Sequence, residues 1–180
     1  MATFRRLLTP GATWFFTLVT LNRRPLLTRP AVLDALRSSF REVRHEQPFT
    51  LDAIVILPDH LHCIWTLPES DRDYARRWSI LKRRVSQRVR EQLPVANSTS
   101  QIARRELGLW QRRFWEHQIR DDADLVRHMD YLHWNPVKHG LVARVADWPW
   151  SSFHRHVEHG IYSPDWGGTP VDNEDSDYGE

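Results

Sequence analysis

The chain has 180 residues, of which 41% are hydrophobic and 27% are charged. These values are typical of a folded globular protein and exclude wholesale disorder. The length suits one compact domain and is too short for a second domain of full size. The one cysteine, Cys63, excludes an intrachain disulfide and fits a reducing compartment, so we expect a cytoplasmic protein.

The net charge of +2 hides an uneven distribution. Residues 157–180 contain seven acidic residues and no Lys or Arg, which leaves 25 basic and 16 acidic residues in the first 156 positions. A basic body with an acidic end is typical of a protein that handles a polyanion and whose tail competes for the same surface. A solvated face and a polar terminus would produce the same pattern. Arg outnumbers Lys by 23 to 2, which favours forked contacts with phosphates but also follows from codon bias.

The first predicted element is a strand over residues 14–21, which is rich in aromatic and β-branched residues and too short to cross a bilayer. Apolar residues recur at helical spacing from Pro30 to Val43 and predict the first helix. Two strand-like runs follow at 49–57 and 61–67. Because only three residues separate them, they predict an antiparallel hairpin.

The second predicted helix is amphipathic and strongly basic, with its arginines crowded away from its apolar stripe. That stripe consists of Trp78, Leu81, Val85 and Val89. A strand is predicted around 109–115, and a third helix is predicted to start at Asp121 and to stop at Asn135-Pro136, since a residue before proline is disfavoured in a helix.

This order of elements predicts an α+β fold, with a ferredoxin-like or RRM-like antiparallel sheet and helices packed on it. We expect the folded domain to cover residues 1–166. The acidic segment 167–180 is predicted to be a disordered tail.

A His-x-His pattern lies at the start of the second hairpin strand. Side chains alternate along a strand, so His60 and His62 project from one face while Cys63 projects from the other and fills the core. Two imidazoles on one face can bind one metal ion. For a His-x-His pattern taken alone, solvated or hydrogen-bonded histidines are the commoner outcome.

The third helix supplies the other polar groups. Beside its apolar face a flank carries four polar side chains: Asp124, His128, Tyr131 and Asn135. Tyr131 therefore lies off the apolar stripe, although a single helical Tyr is more often a half-buried ring with a hydrogen-bonded hydroxyl. Asn135, one turn after Tyr131, offers a carboxamide oxygen as a third metal ligand.

Three strings in this order carry a resemblance to a known family. They are residues 57–68 (LPDHLHCIWTLP), 112–117 (RRFWEH) and 130–140 (DYLHWNPVKHG). With them the chain resembles the REP-associated tyrosine transposases, a domesticated branch of the His-hydrophobic-His (HUH) single-strand DNA transposases, from about residue 4 to residue 166. The resemblance implies a ferredoxin-like fold, Tyr131 as nucleophile, and a divalent ion, Mg or Mn, on His60 and His62. Relatives often have Gln where this chain has Asn135 as third ligand.

The resemblance also implies an activity and a partner. The expected enzyme is a metal-dependent single-strand DNA endonuclease and strand transferase that forms a 5′-phosphotyrosine intermediate. Its expected partners are single-stranded hairpins of repetitive extragenic palindromic (REP) elements with a flanking tetranucleotide. The protein is expected to act as a monomer and not to bind a membrane. Candidate DNA contacts are Arg5, Arg6, Arg112 and Arg113. A phenol with an ordinary pKa of about 10 needs help to lose its proton, and His128 is one candidate base.

Two other functions fit the residues. One is a non-catalytic nucleic-acid-binding module with an RRM-like sheet, for which the change Tyr131→Phe would alter no activity. The other is a zinc-dependent phosphodiesterase that uses His60 and His62 with His117 or His128 and a water nucleophile. This second alternative predicts turnover without a covalent protein–DNA adduct.

Overall fold

The computed structural model describes residues 9–92, 108–167 and 178. Its strands are β1 (Thr13–Val19), β2 (Thr50–Ile56), β3 (His60–Thr66) and β4 (Trp115–Gln118). Its α-helices are α1 (Pro30–Glu46), α2 (Tyr74–Val89), α3 (Asp122–Lys138) and α4 (Phe153–Glu158). The strands form one antiparallel sheet in the order β2-β3-β1-β4. The predicted α+β fold with an antiparallel sheet is confirmed.

The central strands β1 and β3 divide their side chains between two cores. On one face Phe16 and Trp65 pack with α1 and α2, and Trp65 stacks on Trp78 with ring centroids 4.0 Å apart. On the other face Phe15 packs against Tyr131 of α3. The sheet therefore lies between two helical layers, because the alternation along each strand gives both faces buried side chains.

The predicted role of Cys63 as core filler is confirmed. Its side chain is fully buried on the α1–α2 face, and burial raises the pKa of the thiol well above its usual value. The predicted apolar stripe of α2 packs on this same face.

Part of the basic face of α2 is used inside the protein. Arg77 is buried and pairs with Asp71 at 2.6 Å, while Arg84 and Arg88 pair with Glu42 and Glu46 on α1. These pairs tie α2 to α1 and to the loop before it, so only some of the arginines of this region face solvent. The exposed ones are Arg72, Arg76, Arg83, Arg88 and Arg90.

The fourth strand lies later in the chain than predicted. Instead of 109–115, the paired residues are Trp115–Gln118, which lie opposite residues 17 to 14 of β1. Trp110 makes only an isolated bridge, to Thr20. Leu109 and Gln111 do exchange backbone hydrogen bonds with Leu21 and Val19, but residues 112–114 then leave the ladder, so continuous pairing starts only at Trp115.

Helix α3 begins as predicted but continues beyond its predicted stop. Asp121 caps its first turn by accepting a hydrogen bond from the backbone N–H of Asp124 at 2.7 Å. The predicted stop at Asn135-Pro136 is wrong, because Pro136 falls in the last turn, where losing its donor removes a single backbone hydrogen bond. The helix ends before Gly140, which adopts the left-handed conformation, with φ +65°, that favours glycine.

The outer edge of β2 is covered by the chain segment before α4. The backbone N–H of Ile56 donates to the carbonyl of Trp150 at 2.9 Å, and the N–H of Ser152 donates to the carbonyl of Ile54 at 2.8 Å. This edge of the sheet therefore already has a backbone partner within the chain.

Within the described part of the chain, no helix combines the length and the apolar run needed to cross a bilayer. Of the predicted tail, residues 167–180, the structure describes Gly167 and Tyr178 alone. The predicted boundary at residue 166 and the predicted disorder beyond it therefore stay predictions.

Candidate active site

The two histidines of the His-x-His pattern lie side by side on the α3 face of the sheet. Their ring centroids are 4.9 Å apart, and both side chains are buried. Strand β3 is hydrogen-bonded on both sides, with His62 opposite Thr17 of β1 and Val55 of β2. The imidazole pair is thus held on the most restrained strand of the sheet.

Hydrogen bonds define which nitrogen each imidazole presents. The Thr17 hydroxyl has one proton, which it donates to the carbonyl of Tyr178 at 2.6 Å. The same hydroxyl lies 2.8 Å from His62 Nδ1, and there its oxygen accepts a hydrogen bond from Nδ1–H. His60 Nδ1 lies 2.7 Å from a carboxylate oxygen of Asp59, which likewise accepts. In both neutral rings the proton is on Nδ1, and Nε2 is the nitrogen whose lone pair can bind a metal ion.

Asp59 is ionised in this arrangement. Burial alone would raise the pKa of its carboxyl group, but hydrogen bonds from His60 and Arg23 outweigh burial and lower the pKa to about 2. A carboxylate that accepts a hydrogen bond from an imidazole orients the ring and raises the basicity of its other nitrogen.

Tyr131 lies next to this pair. Its ring centroid is 5.5 Å from that of His62, and its side chain is fully buried. The prediction that Tyr131 lies off the apolar face is wrong: its ring belongs to the buried cluster that also contains Phe15 and Leu132. The predicted polar flank is the face that α3 turns to the sheet, because β1 and β3 present Thr17 and His62 there and can receive polar groups.

Asn135 is the predicted third ligand. It is fully buried one turn after Tyr131 on α3, which packs across β2 and β3. Two imidazole nitrogens and a carboxamide oxygen suit divalent ions such as Mn, Co, Ni and Zn, and leave further positions for water or phosphate oxygens. The donor set therefore fits a divalent metal ion.

Two contacts of Tyr131 come from residues that the sequence did not single out. The ammonium of Lys138 donates a hydrogen bond to the Tyr131 hydroxyl at 3.0 Å. The ring of Tyr178 stacks on the Tyr131 ring with centroids 3.6 Å apart and planes 10° from parallel. The contact with Lys138 could have been predicted from its seven-residue spacing from Tyr131, which is close to two helical turns. No local pattern indicates the stack with Tyr178.

A second group of potential metal ligands lies between β4 and the start of α3. His117 Nε2 is 2.9 Å from Asp124 Oδ2, and His128 Nδ1 donates to the Asp124 carbonyl at 2.8 Å. Arg120 and Arg127 also donate to the Asp124 carboxylate. Burial would raise the pKa of Asp124, but hydrogen bonds from Arg120 and His117 hold it well below its usual range.

This second cluster acts mainly as a clamp that holds β4 to α3. Its carboxylate is neutralised by two arginines, which lowers its value as a metal ligand, and the group does not include His60 or His62. A zinc centre built from His60, His62 and these histidines therefore has no support in the geometry. Burial lowers the pKa of His128, and its Nδ1 is directed to its own helix backbone rather than to Tyr131.

The predicted DNA contacts are only partly described. Arg112 and Arg113 are exposed in the segment that leads into β4. Arg5 and Arg6 lie outside the described residues.

Comparison with known proteins identifies the family. Residues 12–133 match the family model described as "Transposase IS200 like". The chain is 46% identical over 171 residues to a protein of Haemophilus influenzae named as a REP-associated tyrosine transposase, covering 94% of this chain and 96% of the relative. It is 43% identical over 173 residues to the REP-associated tyrosine transposase of Escherichia coli K12, covering 96% and 94%.

A solved structure agrees with these relatives. It is that of a REP-associated tyrosine transposase bound to a REP hairpin, and it superposes on this fold with a TM-score of 0.79 at 41% identity. The match covers 97% of this chain and 96% of the solved one. This chain therefore belongs to the REP-associated tyrosine transposases, within the IS200-like transposase family.

Proposed function

We propose that this protein is a metal-dependent single-strand DNA endonuclease and strand transferase that acts on REP-type hairpins, with Tyr131 forming a 5′-phosphotyrosine intermediate. One observation carries the proposal: a tyrosine ring on α3 lies 5.5 Å from a buried histidine pair on β3. A phenol beside a candidate metal site is the arrangement that nucleophilic attack on a phosphodiester requires.

The proposed metal ligands are His60, His62 and Asn135, and the proposed ion is Mg or Mn. When bound, such an ion withdraws charge from the scissile phosphate and orients it for in-line attack. Asp59 and Thr17 hold the two imidazoles in the tautomer that presents Nε2, so the chain fixes its side of the metal site in advance. Imidazoles favour Mn over Mg, while abundance in the cell favours Mg.

The proposed substrate is a single-stranded hairpin of the REP type with a flanking tetranucleotide. Two features support it: the close relative solved with a REP hairpin, and the exposed arginines Arg112 and Arg113 beside β4. Each arginine that neutralises a phosphate makes binding salt-dependent. Arg5 and Arg6 remain candidates on the sequence alone.

We further propose that the enzyme works as a monomer in the cytoplasm. The outer edge of β2 is already paired with residues 150–152, so this edge is not open to a strand of a second copy. Cys63 is a buried free thiol, which fits a reducing compartment.

The chemistry of cleavage is a transesterification. The Tyr131 oxygen attacks phosphorus, the bond from phosphorus to the 3′-oxygen breaks, and that oxygen takes up a proton. One phosphodiester replaces another, so little free energy is lost and the reverse reaction joins strands without ATP.

The test is a trapping assay on a library of single-stranded REP-type hairpins with Mg or Mn. The parent protein is expected to form a covalent protein–DNA adduct that survives denaturation, and Tyr131→Phe and His60→Ala are expected to form none. Tyr162→Phe and His45→Ala are matched controls: Tyr162 donates to Asp130 instead, and His45 is exposed at the end of α1. Cleaved product without an adduct would support a hydrolase, and binding without product would support a non-catalytic module.

A further inference from the structure

A positively charged side chain touches the oxygen that the proposed mechanism uses as nucleophile. Lys138 Nζ lies 3.0 Å from Tyr131 Oη and 4.8 Å from the centroid of the same ring. It is one of the two lysines in a chain with 23 arginines. One of the two ammonium groups of the chain thus contacts the proposed nucleophile, and its side chain is half-buried.

Helix geometry explains the contact. Seven residues are close to two full turns, so Lys138 lies on the same side of α3 as Tyr131. Side chains on a helix lean toward its N-terminus, and the long stem of Lys138 reaches back across two turns to the phenol. A cation in the last turn of a helix is also favoured by the helix dipole.

The continuation of α3 through Pro136 matters here. Because the helix runs to Lys138, the ammonium and the phenol share one rigid element. Had the helix stopped at Asn135, as the sequence suggested, Lys138 would lie in a loop with no fixed relation to Tyr131.

We propose that Lys138 is a further catalytic residue, which stabilises the negative charge on the Tyr131 oxygen during both cleavage and joining; this inference rests on the proposed function. In cleavage, the bond from Oη to phosphorus forms as the bond to the 3′-oxygen breaks, and the electron pair leaves with that oxygen. The phenol proton goes to solvent and the 3′-oxygen gains a proton. In joining, the 3′-hydroxyl gives up its proton to solvent as its oxygen bonds to phosphorus. The bond from phosphorus to Oη breaks, and Oη keeps the electron pair and regains a proton.

Lys138 keeps its proton throughout and donates a hydrogen bond to Oη in both directions. As the nucleophile forms and as it departs, Oη carries more negative charge than in the neutral phenol. A fixed ammonium stabilises that charge without reorganisation, which is how preorganised donors lower a barrier.

The test measures adduct formation and rejoining in single turnovers at saturating hairpin with Mn. Lys138→Met, which keeps the length but removes the charge, is expected to slow both directions by about 10- to 100-fold, the range for losing a charged hydrogen bond to a reacting oxygen. The dissociation constant for the hairpin is expected to stay within about twofold. Lys138→Arg is expected to retain most of the rate. Lys82→Met is the charge-matched control and is expected to keep the parental rate of the chemical step, since Lys82 bonds to backbone carbonyls before β4.

A second measurement separates catalysis from packing. Replacing Tyr131 with 2,3-difluorotyrosine gives an intrinsically more stable phenolate, so the loss caused by Lys138→Met is expected to shrink in that background. A loss of equal size in both backgrounds would mean that the ammonium acts by packing alone, and would overturn the inference. Parental rates in Lys138→Met would also overturn it while leaving the proposed function intact. Absence of any adduct in the parent protein would instead refute the proposed function.

Discussion

The two faces of the sheet use their buried positions differently. On the α1–α2 face the core is aromatic and aliphatic, with Trp65 stacked on Trp78. On the α3 face, equally buried positions of β1 and β3 hold Thr17, His60 and His62. One strand serves both faces, so neighbouring residues of β3 belong alternately to a packed core and to a polar site.

This difference shows how the fold tolerates a buried polar site. Burying a polar group costs free energy unless it is hydrogen-bonded. On the α3 face Thr17 and Asp59 supply hydrogen bonds to the two imidazoles, and Lys138 supplies one to the phenol. The apolar face contributes much of the hydrophobic stabilisation and leaves the other face available for chemistry.

The largest contrast is expected between two adjacent residues of β3. His62→Ala is expected to reduce adduct formation by roughly 1000-fold or more, because one of the two proposed imidazole ligands is lost. Cys63→Ala is expected to keep adduct formation and to lower the free energy of unfolding by about 1 kcal/mol, because it removes a small buried apolar group. Adduct gels and urea unfolding measure the two effects. Equal loss of adduct in both variants would contradict the assignment of His62 to a reactive site and of Cys63 to a packed core.

The next largest effect is expected from the residue that fixes the His62 tautomer. Thr17→Val keeps the shape but removes the hydroxyl that accepts from His62 Nδ1. We expect the Mn concentration for half-maximal adduct formation to rise by about 10- to 100-fold, as when an outer partner of a metal ligand is lost. Thr13→Val is the control on the same strand, since the Thr13 hydroxyl bonds to Thr66. An unchanged metal midpoint in Thr17→Val would contradict the proposed metal site.

A smaller effect on stability is expected from the clamp at the start of α3. Asp124→Asn is expected to lower the free energy of unfolding by about 2 kcal/mol, because charged hydrogen bonds to a buried carboxylate are lost. Asp122→Asn, exposed in the same turn, is expected to cost much less. Urea unfolding of both variants at neutral pH measures the difference.

The clamp also has a pH signature. The pKa of Asp124 is lowered in the folded protein, so its stabilisation is complete above the ordinary Asp value of about 3.9 and is lost as the pH falls below it. Stability of Asp124→Asn should therefore fall less steeply than that of the parent on acidification below pH 4. If the free energy of unfolding of the two proteins falls equally steeply below pH 4, the fold does not hold this carboxylate ionised.

The smallest effect is expected from Tyr178, whose ring covers the Tyr131 ring. In the proposed mechanism the scissile phosphate reaches a phenol that is fully buried beneath this ring, so the proposal requires Tyr178 to move first. Tyr178→Ala is expected to raise the rate of adduct formation by about 2- to 10-fold, since such an aromatic pair contributes about 0.5–1.5 kcal/mol. Tyr178→Phe keeps the stack and should resemble the parent.

Removing the residues after 166 tests the acidic tail as well. This truncation is expected to increase hairpin binding or cleavage beyond Tyr178→Ala, most clearly at low salt, where charge repulsion is strongest. Unchanged binding at low salt would exclude competition between the tail and DNA.

Much of this arrangement could be predicted from local patterns. Strand alternation places His60 with His62 and separates Cys63 from them, and helix periodicity places Asn135 one turn after Tyr131. The position of β4 could not be predicted, because it depends on where residues 112–114 leave and rejoin the ladder of β1, which is a tertiary property. The extension of α3 through Pro136 depends on the small cost of a proline in a last turn, which a rule about residues before proline does not capture.

The contacts of the phenol were the hardest to foresee. The burial of Tyr131 depends on rings that lie against α3 from elsewhere in the fold, namely Phe15, His62 and Tyr178. This is a tertiary property that the helix pattern does not contain. Tyr178 lies 47 residues beyond Tyr131 in the chain, and a stack between two distant rings leaves no periodic signal. Lys138 is the exception, since its spacing of two helical turns from Tyr131 is visible in the sequence.

The most direct test of the account is peptide mapping of the trapped adduct by mass spectrometry. The account predicts that, after nuclease and protease digestion, the nucleotide is found on the peptide that contains Tyr131, linked through its oxygen to a 5′-phosphate. An adduct on any other residue, or cleaved hairpin with unmodified Tyr131 throughout the reaction, would contradict it.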